Sequence, residues 1–142
     1  MNTLIEKAIL FGKTKHAGQL DDSGKDYFQT HCMQVYTLLC TVAPDDINLL
    51  CASILHDTLE DTQTTLEELQ TDFNMDIASL VNEVTHDGQK DSKGLYFPRL
   101  HSKRGIILKF ADRLSNLSRM DPWNVARQEQ YLKKSKFWKS EV

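Results

Sequence analysis

No run of apolar residues in this chain of 142 approaches the roughly 20 that a membrane-spanning helix needs, which excludes an integral membrane protein of the helical kind. The amino-terminal stretch MNTLIEKAILFGKTKHAG is interrupted by Glu6 and Lys7, so it does not read as a secretory leader either. Cysteine is scarce: Cys32, Cys40 and Cys51 are odd in number and lack the paired spacing of a zinc ribbon, which excludes a disulfide framework. They read as buried thiols of a reducing compartment, and the expected location is cytoplasmic. Basic charge is not in excess, with 17 Lys and Arg against 20 Asp and Glu, so no nucleic-acid polymer and no membrane surface is expected as a partner. Three prolines and six glycines leave few breaks and no linker, and residues 1–142 are expected to form one domain.

What is present is helical periodicity. Residues 3–17 place Leu4, Ile5, Ala8, Ile9 and Phe11 at helical spacing and stop before Gly18. Residues 27–43 carry Phe28, Cys32, Val35, Leu38 and Leu39 on one face until Pro44. Asp45 or Asp46 can cap a third helix through INLLCASILHDTLED, whose first half is apolar on nearly every side and belongs at the centre of the core. Thr64 with Glu67, or Thr65 with Glu68, has capping-box spacing before a short helix to about Phe73, and MDIASLVNEVTHD supplies another. Residues 88–101 look irregular. From about Ser102, GIILKFADRLSNLSRM is amphipathic with an apolar stripe of Ile106, Ile107, Phe110, Leu114 and Leu117. After Pro122 a final helix with a basic end follows. No segment alternates with period two, so the expected fold is an all-α, compact helical bundle.

The segment HDTLEDT places His56, Asp57, Glu60 and Asp61 at i, i+1, i+4 and i+5, one arc of roughly 140° on a helix that turns about 100° per residue. Carboxylates there oppose the negative end of the helix dipole by about 0.3 to 1 kcal/mol each, and a divalent cation would reverse the sign. A solvated acidic helix end with an ordinarily hydrogen-bonded His56 is the bland alternative. His31 falls on an apolar face with Val35 and Leu38, where it must find a partner or stay neutral. Asp112 and Asn116 flank the apolar stripe, with Lys109 beside them. Each position alone is compatible with a purely structural role. Together, imidazoles and carboxylates from three helices suit an octahedral transition metal such as manganese or iron.

The series YFQTH, ILHDTLEDT and KFADRLSNL resembles the HD superfamily of metal-dependent phosphohydrolases, and within it the hydrolase domain of RelA/SpoT-type alarmone enzymes and their small stand-alone relatives. The resemblance runs from about His16 to Met120. It implies that His31, His56, Asp57 and Asp112 bind one metal, Mn2+ or another divalent transition metal. It makes Glu60 and Asp61 the catalytic acidic pair and sets Asn116 against a nucleotide. Lys15, Lys109 and Arg113 are candidates to meet phosphate charge. His16, in the HAGQ segment, is expected to be structural. The implied reaction is release of pyrophosphate from the 3′ position of guanosine tetra- or pentaphosphate, (p)ppGpp, with a small phosphorylated nucleotide as the partner molecule.

Two positions depart from the family pattern. Tyr27 precedes His31 by four residues where the family has three, and Asp21-Asp22 stand near the place of a basic Arg-Lys pair. Two free carboxylates there would repel a highly phosphorylated nucleotide, so the expectation is weak affinity that improves in an Asp21→Arg, Asp22→Lys variant. Alternatives are an HD phosphohydrolase acting on another nucleoside phosphate or NADPH, and a catalytically silent metal- or nucleotide-binding module. Trp123, Tyr131, Phe137 and Trp138 offer either a cap on the core or the seam of a homo-oligomer.

Overall fold

The computed structural model describes residues 2–85 and 100–134. Eight α-helices are found among them: α1 (Thr3–Lys15), α2 (Met33–Val42), α3 (Ile47–Leu55), α4 (Thr58–Asp61), α5 (Leu66–Asp72), α6 (Met75–Val84), α7 (Lys103–Leu117) and α8 (Val125–Lys134). The described residues contain no strand, only one isolated antiparallel bridge between Leu20 and Asp26. The expected all-α architecture is what forms. The irregular stretch expected over 88–101 lies outside the described residues up to position 99, as do Phe137 and Trp138.

Short polar side chains start the helices by accepting backbone N–H groups that the first turn leaves orphaned. Asn2 accepts from Leu4, Asp46 from Leu49, Asn74 from Ile77 and Ser102 from Gly105. Of the two capping-box options, Thr65 is the cap, accepting from the Glu68 N–H at 3.1 Å. Helix α3 is the axis of the bundle: Leu49 through Leu55 are all buried, and α1, α2, α6 and α7 pack around it. The core is completed by Leu39, Leu69, Ile77, Val81 and Leu108. Cys32 and Cys51 are buried thiols whose pKa values burial raises, Cys51 to about 11. Cys40 is only half-buried, unlike the expectation.

Three local features differ from the sequence expectation. The third helix is not continuous: α3 ends at Leu55, and Asp57 (φ −98°, ψ 0°) breaks the ladder before the single turn α4. His56 and Asp57 therefore sit in a kink and not on one face with Glu60 and Asp61. The second helix opens with a π-helical turn, Phe28–Cys32, in which the Met33 N–H reaches back five residues to the Phe28 carbonyl. A π-turn accommodates one extra residue without shifting the rest of the helix. The turn lies where Tyr27 and His31 stand four residues apart.

The third difference is the rotation of α7. Its buried residues are Gly105, Leu108, Lys109, Ala111, Asp112, Arg113 and Ser115, whereas Ile107, Phe110 and Leu114 of the expected core stripe are exposed by 40, 42 and 54%. The exposed apolar residues line a shallow groove with Leu38 and Val42 of α2. The polar flank faces inward because its charges are matched there: Lys109 Nζ lies 2.7 Å from Asp112 Oδ2, and both are buried.

The start of α7 is anchored by Glu83, 3% exposed, which accepts from the backbone N–H groups of His101 (3.0 Å) and Ser102 (2.7 Å) and from the Ser102 hydroxyl (2.8 Å). A carboxylate at that end also complements the helix dipole. Gly105 makes the contact possible, since a Cβ there would fall 2.0 Å from Glu83 Oε2. Replacing Glu83 by Ala strands three donors and is expected to cost about 2 to 3 kcal/mol, or roughly 6 to 10 °C in Tm for a chain of this size. Calorimetric melting checks it, and a shift under 2 °C would remove Glu83 from this role.

Candidate functional site

Four ligand-type atoms from three places in the chain meet at one point. His31 comes from the π-turn, His56 and Asp57 from the α3/α4 kink, and Asp112 from the inner face of α7; their ligand atoms all lie within 4.8 Å of one another. His31 Nε2 is 3.1 Å from His56 Nε2, 3.3 Å from Asp57 Oδ2 and 3.0 Å from Asp112 Oδ1. His56 Nε2 is 3.3 Å from Asp57 Oδ2 and 3.2 Å from Asp112 Oδ1. Adjacent corners of an octahedron are this far apart when the bonds to the centre are about 2.1 to 2.3 Å, the range of a divalent cation of the manganese type. The donor set and its spacing fit a six-coordinate divalent ion.

The outer nitrogens of the two imidazoles prepare Nε2 for that task. His56 Nδ1–H donates to the Ser53 carbonyl at 2.7 Å, leaving Nε2 as the lone-pair atom. His31 Nδ1 lies 3.0 Å from Ser115 Oγ, which donates its own hydrogen to Gln34 Oε1 at 2.6 Å and so has a lone pair for a ring N–H. Arg119 Nη2, which can only donate, also approaches His31 Nδ1 at 2.8 Å. Ser115 and Arg119 therefore favour opposite tautomers of His31.

Burial by itself would depress the pKa of both histidines, but hydrogen bonds and charge from Asp112 and Asp57 outweigh it and raise them. Burial would raise the two acids, but His56 and His31 hold Asp57 well below its usual range. For Asp112, the Lys109 ammonium is the largest influence in the same direction. Tyr27, raised by burial and by Asp57, remains a phenol and donates to Asp57 Oδ2 at 2.6 Å.

A cleft of about 530 Å³ opens beside this cluster, lined among others by Gln19, Tyr27, Asp61, Asn116, Arg119 and Tyr131. Of the acidic pair, Asp61 is on the cleft wall, accepting from Gln19 Nε2 at 3.3 Å; burial and the charge of Asp57 raise its pKa. Glu60 is exposed on the same turn and is not part of the cleft lining. Asn116 lines the cleft, donating to the Tyr131 hydroxyl at 2.7 Å.

The three candidate phosphate cations are not among the residues that line the cleft. Lys15 pairs with Glu68 at 3.1 Å, Lys109 is spent on Asp112, and Arg113 stacks 4.7 Å above the Tyr131 ring. His16 is buried, bonded to Gln19 Oε1 at 2.8 Å and stacked on Phe28, with its Nε2 left without a hydrogen-bond partner among the described residues. Sequence reasoning missed Tyr27 and Ser115 as supports of the ligands, and Arg119, Trp123 and Arg127 as cleft residues. The tyrosine was visible as a family position, but the others carry no local signal: Ser115 meets His31 and Gln34 only through tertiary packing, and Arg119, Trp123 and Arg127 meet the loop after Gln19 only in the folded chain.

Comparison with known proteins places this geometry. Residues 8–93 match the HD domain family. A guanosine-3′,5′-bis(diphosphate) 3′-pyrophosphohydrolase from Aquifex aeolicus is 34% identical over 93% of this chain, and the chain spans only 19% of that relative. For a namesake from Spiroplasma citri the identity is 35% and the share spanned 18%. The Xenopus tropicalis protein named guanosine-3′,5′-bis(diphosphate) 3′-pyrophosphohydrolase MESH1 is 34% identical, with 98% of this chain and 82% of that protein aligned. A solved structure, described as a metazoan ortholog of SpoT that hydrolyzes ppGpp, superposes with a TM-score of 0.81 at 28% identity over 96% of this chain and 83% of that one. The matched segment holds three of the four clustered ligands and the fold supplies the fourth: this chain belongs to the HD domain family.

Proposed function

We propose that this chain is a divalent-metal-dependent phosphohydrolase that removes pyrophosphate from the 3′ position of (p)ppGpp, with Mn2+ held by His31, His56, Asp57 and Asp112. The observation that carries the reading is the convergence of two imidazole nitrogens and two carboxylate oxygens, at octahedral spacing, beside a cleft large enough for a nucleotide. The MESH1 relative, similar in size, supports the choice of substrate by its name.

The ion would supply Lewis-acid polarisation of a phosphoryl oxygen and acidify water beside it. The chain supplies the rest. Tyr27 fixes Asp57, Ser53 and Ser115 orient the imidazoles, and Lys109 keeps Asp112 ionised. Asp61 has the position and the raised pKa of a general base toward water entering from the cleft. Glu60, on the same exposed turn, is the second acid of the pair, placed to exchange protons with solvent. Asn116, with its amide aimed across the cleft at Tyr131, orients sugar or phosphate.

The test of function is pyrophosphate or phosphate release, with Mn2+ added, across guanosine tetraphosphate, nucleoside phosphates and NADPH. Pyrophosphate from guanosine tetraphosphate is expected; turnover of only another member would replace the substrate, and no turnover would favour a silent binding module. Asp61→Asn is expected to lower turnover by roughly 10² to 10⁴-fold with metal content unchanged, and Glu60→Gln by less, since only Asp61 lines the cleft. Full activity in Asp61→Asn would move the base elsewhere.

For the metal site, His56→Ala and Asp57→Ala should lose stoichiometric Mn2+ by elemental analysis. Ser115→Ala should retain it with affinity weakened by roughly 10-fold or more, because His31 loses the acceptor that selects its binding tautomer. Unchanged calorimetric affinity in Ser115→Ala would leave that tautomer to other contacts.

A further inference from the structure

The loop after Gln19 carries Asp21 and Asp22 where positive charge was expected, yet neither acid offers a free carboxylate to a ligand. Asp21 Oδ1 accepts from the Ser23 and Lys25 N–H groups, both at 2.9 Å, and Oδ2 accepts from the Thr30 hydroxyl at 2.9 Å. Its side chain is 6% exposed, and these bonds, that from Lys25 foremost, hold its pKa below the usual carboxylate range. The charge that remains faces Arg119 Nη1 at 3.9 Å across the cleft. Asp22 accepts from the Trp123 indole N–H and pairs with Arg127 Nη2 at 3.2 Å, while the Arg127 guanidinium lies 3.8 Å above the Trp123 ring. The two acids tie the loop to the end of α7 and the start of α8.

Arg119 is the cation these contacts leave with donors to spare. It lines the cleft, Asn116 Oδ1 accepts from its Nη2 at 3.0 Å, and its Nε–H is buried with no hydrogen-bond acceptor among the described residues. Its other Nη2 contact, His31 Nδ1, ceases to be an acceptor once His31 offers Nε2 as a ligand and gives its ring proton to Ser115. The planar guanidinium is then left between Asn116 and Asp21, beside the metal-type cluster, where a phosphate oxygen is the matching acceptor.

We propose that Arg119 binds a phosphoryl group of the substrate, and that Asp21 and Asp22 are positioning residues that hold Arg119 and the Trp123/Arg127 pair at the cleft, so that the two acids strengthen nucleotide binding. The positive charge expected on the loop after Gln19 is thereby relocated to the end of α7. The proposal rests on the phosphohydrolase reading but not on its exact substrate.

The sign of one substitution decides between this and repulsion. Asp21→Asn keeps the oxygen that serves Ser23 and Lys25 while removing the charge facing Arg119. Positioning predicts a KM for guanosine tetraphosphate raised several-fold, whereas repulsion predicts a lowered one. Arg119→Gln should raise KM by roughly 10-fold or more with a smaller change in kcat and a flatter dependence of KM on salt, and Arg119→Lys should recover part of the loss. A KM unchanged in Arg119→Gln, or lowered in Asp21→Asn, overturns the proposal. If the wild type cleaves no guanosine tetraphosphate, the substrate assignment falls, and calorimetric binding of guanosine diphosphate to the Mn2+-loaded full chain decides the proposal instead. Loss in Arg119→Gln with weakening in Asp21→Asn supports it; equal affinity in all three proteins overturns it.

Discussion

Two imidazoles and two carboxylates held about 3 Å apart inside a helical bundle are the constraint on which the remaining structure depends. Groups of that kind lose several kcal/mol of hydration on burial and are tolerated only where each charge is answered. The protein answers them in layers. Acid and imidazole face one another at the centre; Tyr27 donates to the Asp57 oxygen that faces the imidazoles, Lys109 satisfies the outer oxygen of Asp112, and the Ser53 carbonyl and Ser115 satisfy the outer nitrogens. A divalent cation at the centre would replace this partial pairing by direct coordination of all four groups.

The backbone departs from ideal helix where this cluster requires it. A straight helix through residues 47–61 would spread His56, Asp57, Glu60 and Asp61 over one outward arc; the break at Asp57 sends the first two inward and leaves Asp61 on the cleft wall. The π-turn at Phe28–Cys32 likewise sets the angle at which His31 enters, with α2 continuing undisturbed behind it. Helical regularity is given up at two places, and both carry ligands.

The cleft rim follows the same logic at lower cost. Asp21, which by charge alone would oppose a phosphorylated ligand, has its lone pairs committed to its own turn, and Asp22 is committed to Trp123 and Arg127.

Much of this was legible in the sequence. The period of 3.6, the capping residues and the absence of alternation determine an all-α bundle with α3 at its centre, because helix formation and capping are local. The motifs around His31, His56-Asp57 and Asp112 identify the cluster, since ligand chemistry restricts which residue types can serve. Hydropathy misdirected the reading of α7: Ile107, Phe110 and Leu114 look like the core stripe, yet Lys109 and Asp112 are inside, paired with one another, and Asp112 and Ser115 meet His31 and His56 from distant parts of the chain. Nor could local pattern reveal that Lys15 turns to Glu68, that Asp21 is 98 residues from the arginine it faces, or that Asp22 holds Trp123. Those pairings join segments far apart in the chain, and only the tertiary structure brings the two halves of each pair within reach.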